Sequence, residues 1–442
     1  MTSASFFVTR NMNSKEAVKM FKNKTNQKMF ALLSIALLLS LAILISSASA
    51  LISQNSTSWF WISDTSITSV AFGDVNGDGQ TEIVTAGYYN DGVRFNAQLT
   101  VWNAFTMVGQ QVMNWYWTGD TQITSVALAN ITGGRGLDII TGGAFFDGAR
   151  WNGQLAIWNG TTLAGEKVMN WYWTGDTMIS SVAVANVSGG TGLDVIVGGA
   201  FFDGTRWNAQ LTVWNASTLA GEKLANWYWT GDTMISSVAV ANVSGGTGLE
   251  IVTGGDYFDG TRNVAQLIVW NGTTLVGERI VNWFITGDTQ LSSVAVANVS
   301  GGTGLEIVTG GDYFDGTRNV AQLIVWNGTT LVGERLTNWF TISNTTSASV
   351  AIGNLTGGSN FDVITGGTYN DGLKNNAQLI VWNGATLAGT SMATWAGISN
   401  TELKAIADGN INGGGPTAVN RVVAGGDFYD NIRLNAQLSL WA

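Results

Sequence analysis

From residue 53 onward the chain alternates short apolar runs with polar punctuation, and no stretch carries the apolar spacing of a helix. The first full unit sets the pattern. A run Ser69–Asp74 leads into the polar loop Val75-Asn76-Gly77-Asp78-Gly79-Gln80-Thr81. A second run, Glu82–Tyr88, ends at the hairpin signal Asn90-Asp91-Gly92. Ala97–Trp102 and Asn114–Trp117 come next, and Thr118-Gly119-Asp120 closes the unit. Valine, isoleucine, threonine and aromatics fill the runs, while Gly, Asn and Asp separate them, as strand and turn preferences require. The spacing predicts four strands, A to D.

The unit then recurs. Ser-Val-Ala begins at Ser69, Ser125, Ser181, Ser237, Ser293 and Ser349, with a weakened form at Ala405, always 56 residues apart. Trp59, Trp115, Trp171, Trp227, Trp283, Trp339 and Trp395 keep the same period, as do Trp102, Trp158, Trp214, Trp270, Trp326 and Trp382 before a last step to Trp441. Seven copies of a four-strand unit predict an all-β, seven-bladed β-propeller with four antiparallel strands per blade. The array opens on a D-type strand, Ser58–Ile62, and finishes on a C-type strand, Ala436–Trp441. Pairing those two closes the ring and removes two exposed edges.

A different segment precedes the array. Residues 1–28 hold six basic residues against the single acid Glu16; Met29–Ile45 is uncharged, and Ser46-Ser47-Ala48-Ser49-Ala50 comes after it. A basic region, an apolar region and an Ala-x-Ala site predict an N-terminal hydrophobic helix, either a signal cleaved after Ala50 or an uncleaved anchor. Either route places the repeat array outside the cytoplasm, secreted or held at the cell surface, with membrane contact only through residues 29–52. The division expected is therefore 1–52 for this segment and 53–442 for the propeller.

Composition narrows the chemistry. The chain has neither cysteine nor histidine, which excludes disulfide frameworks, thiol nucleophiles, histidine-based triads and the usual zinc sites. Beyond residue 50 fourteen basic and twenty-nine acidic residues leave a net charge of −15, which argues against nucleic acid as a partner. Asn-x-Ser/Thr sequons recur at Asn130, Asn159, Asn186, Asn215, Asn242, Asn271, Asn298, Asn327 and Asn354, with two more at Asn55 and Asn344. They suit a glycosylated extracellular chain, and equally the turn chemistry of asparagine.

Asp74-Val75-Asn76-Gly77-Asp78-Gly79-Gln80-Thr81-Glu82-Ile83-Val84 resembles the calcium loop of FG-GAP/VCBS repeats, the units of integrin α-chain propellers. The resemblance implies one Ca2+ in the first blade, held by Asp74, Asn76, Asp78 and Glu82 with the Gln80 carbonyl, a hard-oxygen set of the right kind. The later copies replace the first position by asparagine from Asn130 to Asn410, and the fifth by glycine, so no ion is expected in them. In that family the face carrying the B–C and D–A loops is the ligand side.

Other repeated polar residues read as framework. Gln98, Gln154, Gln210, Gln266, Gln322, Gln378 and Gln437 each precede a strand C leucine, which predicts a hydrogen bond between strands or blades. The hairpin aspartates from Asp91 to Asp371 read as turn formers paired with Arg94, Arg150, Arg206, Arg262 and Arg318. Residues that break the repeat are more informative. Glu402 is unmatched, and Asp408 takes a strand A position that is apolar in the other six copies. Trp151 and Trp207 stand beside two B–C hairpins, where an aromatic can stack on a sugar or anchor a partner.

Together these features predict a non-catalytic extracellular binding or adhesion propeller that recognises a protein or a surface glycan through its B–C/D–A face. The sequons lie mainly on the other face. The alternatives are a polysaccharide-active lyase or glycosidase, whose acids would have to come from Glu402, Asp408, Asp74 and Asp78, and a structural surface scaffold.

Overall fold

A computed structural model describes residues 51–358, 360–410 and 420–442. The N-terminal hydrophobic segment and its Ala50 site lie outside these residues, as do the third and fifth positions of the last A–B loop. The described residues form seven four-stranded antiparallel sheets arranged as a seven-bladed β-propeller. In the first blade β2 (Thr65–Gly73), β3 (Glu82–Asn90), β4 (Phe95–Asn103) and β5 (Gly109–Trp115) lie side by side in chain order. The A strands of successive blades contact one another and form the inner ring. Strands B and C are buried along almost their whole length between neighbouring blades. Both faces of these strands are covered, hence their near-continuous apolar sequence.

The sequence places strand boundaries several residues off. Strand A starts at Thr65 rather than Ser69, with a bulge between Ile67 and Ser69. The Thr68 hydroxyl at that bulge bonds to the carbonyls of both Ala86 and Ile123, so a polar residue still serves the strand. Strand D ends at Trp115 rather than Trp117. There the Thr121 hydroxyl accepts the Trp117 N–H and donates to Gly119 O, turning the chain.

Ring closure is as expected. β1 (Ser53–Trp59) pairs antiparallel with β28 (Leu434–Trp441), completing the seventh blade. The pairing extends further back, because Ile52 and Ala442 exchange both backbone hydrogen bonds and Leu51 packs into the core between blades six and seven.

Three repeated contacts join the blades. First, the strand D tryptophan of one blade lies 4.6–5.0 Å, centroid to centroid, from the strand C tryptophan of the next. Its indole N–H donates to the glutamine Oε1 of that next blade at all seven seams, so the glutamines do bridge blades. Second, the serine of Ser-Val-Ala accepts the valine or isoleucine N–H of the following blade, as Ser125 does from Val182 at 3.1 Å. Six seams carry this bond. The seam from blade seven to blade one has Ala405 instead. Third, glycine on strand B admits the next blade: a Cβ on Gly142 would lie 2.6 Å from Val182 Cγ1, while one on the neighbouring Gly143 would lie 2.0 Å from Gln122 O on strand A of its own blade.

Candidate functional site

The seam without the serine bond is also where the sevenfold pattern breaks most heavily. β26 (Thr401–Asn410) and β27 (Asn420–Tyr429) pair Glu402 with Asp427 at the end of the blade that bears the B–C and D–A loops. Lys404 Nζ lies 2.6 Å from Asp427 Oδ2 and 2.9 Å from Ser66 Oγ, and Ser66 Oγ donates to the same carboxylate oxygen at 2.5 Å. Ser66 belongs to blade one, so this triad ties the first and last blades together. Burial works against the Lys404 ammonium, but the charge and hydrogen bond of Asp427 outweigh it and hold the group above the ordinary lysine range. Above the triad opens a cavity of about 510 Å3 lined by Asp64, Asn400, Glu402, Lys404, Asp427 and Tyr429, among others. Glu402 faces it while accepting from Asn375 Nδ2 at 3.2 Å. Asp64 is spoken for by the Leu434 N–H, and Asn400 by the Asn375 N–H.

The two repeat-breaking acids are not brought together. Asp408 lies six residues along β26, toward the opposite face. Burial pushes its carboxyl up to about 6. It packs against Gly353 of blade six, where a Cβ would lie 2.3 Å from Asp408 Oδ2. The same pairing holds around the ring: Gly73 faces Leu128 and Gly409 faces Phe72, side chains unbranched at Cβ like Asp408, whereas alanine occupies this place where the next blade offers a β-branched valine or isoleucine. Asp408 therefore has a fitted socket.

In the first-blade loop the candidate calcium ligands mostly serve the backbone. Asp74 accepts the N–H groups of Gly77 and Gly79, Asp78 accepts that of Gln80, and Glu82 accepts that of Val75. Asn76 Nδ2 sits between two acids, donating to Asp78 Oδ2 at 3.2 Å and to Glu82 Oε1 at 3.0 Å. Burial, then the Asp78 and Asp74 charges, raise the Glu82 carboxyl above its ordinary range, partly offset by its backbone hydrogen bonds. Among the described residues no three acids converge as metal ligands. The donor set is hard oxygen of the kind calcium takes, but its arrangement here is that of a self-closed turn. Glu82 also has a purely structural counterpart: Asp138 accepts the N–H groups of Ile131 and Thr132 in the same way.

Trp151 and Trp207 open β8 (Trp151–Trp158) and β12 (Trp207–Asn215), each half-buried and tilted on a phenylalanine across the hairpin, Phe146 and Phe202, at 5.8 Å. The register places them at the position held by Phe95, Asn263, Asn319, Asn375 and Leu434 in the other blades. They share their face with a third tryptophan series without a full sevenfold signal, Trp61, Trp117, Trp173 and Trp229, each near a strand B aromatic. The hairpin arginines take a different partner from the one expected. Among the described residues only Arg318 comes within ion-pair distance of its hairpin acid, Asp315. The arginines instead lie 4.2–4.5 Å above the ring of a D–A aromatic in six blades, as Arg150 does over Tyr172. The aspartates turn inward to cap their own hairpins, and those backbone hydrogen bonds help hold carboxyls such as Asp147 below the ordinary range.

Two further acids, Asp256 buried and Asp312 half-buried, carry no sequence signal. Asp256 and Asp312 stand on strand B of blades four and five at the register of Asp427. Burial, then the charges of Asp288 and Asp312, push Asp256 up to about 7; burial alone pushes Asp312 up to about 6. The sequon asparagines on the A–B and C–D loops act as turn caps: Asn159 Oδ1 accepts two loop N–H groups, and its Nδ2 donates to Glu166. Asn130, Asn186, Asn242, Asn298 and Asn354 each donate Nδ2 to a loop carbonyl.

The FG-GAP repeat family model matches residues 66–102, which span strands A to C of the first blade and its acidic loop. No curated protein matches the chain in sequence. Among solved structures the chain is similar to Raptor of Chaetomium thermophilum, with a TM-score of 0.49 and 13% identity over 87% of this chain and 29% of that one. The chain thus spans under a third of that protein's length. The chain is a seven-bladed β-propeller whose first blade matches the FG-GAP repeat model over residues 66–102.

Proposed function

We propose that this propeller is a non-catalytic extracellular binding module that recognises a protein or a surface glycan through its B–C/D–A face. One observation carries the reading. The sevenfold tryptophans and glutamines and the six serines are consumed in joining blades, while Trp151, Trp207 and the Glu402–Lys404–Asp427 cavity depart from the repeat and open on that one face. The apolar segment that precedes Leu51, if retained, would anchor the module, and sugars on the sequon face would leave the other face free. The test is capture of a glycan array and of labelled cell-surface proteins by the immobilised chain. Replacing Trp151 and Trp207 together by alanine should abolish capture; unchanged capture would sink the assignment of the face.

The first-blade loop is assigned to Ca2+ on the chemistry of Asp74, Asp78 and Glu82, with Gln80 O as a further donor. Binding requires the Asn76 amide to turn its oxygen inward. Calorimetric titration should show one site that is lost in Asp78→Asn; absence of heat with the native chain would rule the ion out. A polysaccharide-active enzyme is the second reading, favoured by Glu402 on the wall of the seam cavity. Release of reducing ends that stops in Glu402→Gln would establish it, and inactive protein that still binds glycan would eliminate it.

A further inference from the structure

One register position on strand B holds an acid in three blades, and the three are treated differently. In blade seven Asp427 is 2% exposed and takes the ammonium of Lys404 at 2.6 Å. In blade four Asp256 is 9% exposed, and among the described residues it has neither a hydrogen bond nor an ion pair. The blade-four residue corresponding to Lys404 is Ser236, too short to reach a carboxylate as lysine does; in blade five it is Ser292. Asp288 and Asp312 stand close enough to Asp256 to repel its charge. Three acids thus act on one place where blade seven supplies a cation and blade four supplies none. An isolated buried carboxylate is costly unless something neutralises it.

The wall beside this place is apolar. Met234 is the direct strand A partner of Asp256 and is 43% exposed. A thioether chain next to a carboxylate suits a group with a methylene stem and a cationic end. That describes a lysine side chain, the group that fills the equivalent position from within in blade seven. The net charge of −15 beyond residue 50 adds long-range attraction for a basic partner.

We propose that Asp256, with Asp312 and Asp288 behind it, is a receptor site for a lysine ammonium presented by a protein partner. The proposal rests on the binding reading of this face and names the chemistry the face selects. Met234 packs along the lysine stem, and Asp256 takes the ammonium as Asp427 takes Lys404.

The test uses the full chain and a short capped peptide, Gly-Ser-Lys-Ser-Gly, against its norleucine counterpart, with binding read by calorimetry. The lysine peptide should bind saturably, and the norleucine peptide at least tenfold more weakly. Asp256→Asn, which removes only a buried charge, should weaken binding at least tenfold. Ser236→Lys places the lysine of blade seven in blade four; it should abolish peptide binding while raising the melting temperature, because the slot is then filled from within. Equal binding of the two peptides, no binding by the native chain, or unchanged binding in either folded variant overturns the proposal. Capture by the Trp151/Trp207 face, measured on the same preparations, separates the two ideas: intact capture with a failed peptide test removes only the lysine site.

Discussion

Ser125→Ala isolates the bond that repeats at six of the seven seams. In the native protein Ser125 Oγ accepts the Val182 N–H at 3.1 Å, and Val182 is 7% exposed, so no water replaces the lost oxygen. A buried donor left without a partner costs about 1–3 kcal/mol. Unfolding entropy scales with chain length, so for a propeller of this size each kcal/mol moves the midpoint by roughly 1 °C, and the variant should melt about 1–3 °C lower. The reciprocal change is more demanding. Ala405→Ser restores the missing oxygen opposite Val70, at a seam where both residues are at least nine-tenths buried. It should raise stability by about 0.5–1.5 kcal/mol, the usual net value of one hydrogen bond. Urea unfolding followed by tryptophan fluorescence, with calorimetry for the midpoint, measures both. Native-like unfolding of Ser125→Ala, or destabilisation by Ala405→Ser, would mean that the serine oxygen does not govern the seam.

Three further outcomes rest on the same geometry. Because burial raises Asp256 to about 7 in the folded state against an ordinary value of 3.8, the folded form holds its proton while the unfolded chain has released it. Its contribution is therefore unpenalised below about pH 4, falls by up to about 1.4 kcal/mol per unit as pH rises toward 7, and is level above that; Asp256→Asn should flatten this slope in urea titrations from pH 4 to 8. Lys404→Met leaves Asp427 buried without its cation and should cost about 3–5 kcal/mol, whereas Lys404→Met with Asp427→Asn should cost less, as denaturant midpoints will show. Thr309→Val removes the acceptor of the Trp326 indole N–H and should cost about 1–3 kcal/mol in the same assay, while adding Ile324→Thr, as blade three is built, should recover part of it.

What could be read in advance was whatever occurs seven times. A 56-residue period, two tryptophan series and one glutamine per copy fix the blade, the closing strand and the inter-blade hydrogen bond, because one contact written repeatedly stands out from noise. The seam triad left no such trace. Lys404 and Ser66 are 338 residues apart, Lys404 and Asp427 are 23 apart, and no local pattern links them. Its signal was indirect: the one copy in which Ser-Val-Ala loses its serine. The arginines were assigned to the hairpin acids because those are near in sequence, but the aromatic rings come from the D–A loop and offer a face that the capped aspartates do not. The third tryptophan series also keeps the period; it ends after blade four and so reads as scatter.

The copies also act as an internal set of variants, and they separate two kinds of departure from the repeat. Where a framework residue is lost, a neighbour replaces its function. Strand B threonine accepts the strand C indole N–H in five blades, as Thr85 does from Trp102. Blade three has Val197 there, and blade seven has Ala424. In those two the oxygen comes from Thr212 and Ser439, two residues before the tryptophan. Asp408 is matched by Gly353, and Ala405 by the Lys404–Asp427–Ser66 triad across the same seam. Each of these changes has an answering change within the chain, as expected when a defect of about 1–3 kcal/mol would otherwise remain in a marginally stable fold. Asp256 has none: its register is that of Asp427 and it too is buried, yet no described residue supplies the cation. An uncompensated charge of this kind is costly to the free protein and is retained most readily where a partner supplies what is missing. By that criterion Asp408, the more conspicuous acid in the sequence, belongs to the framework, and Asp256 to the proposed binding face.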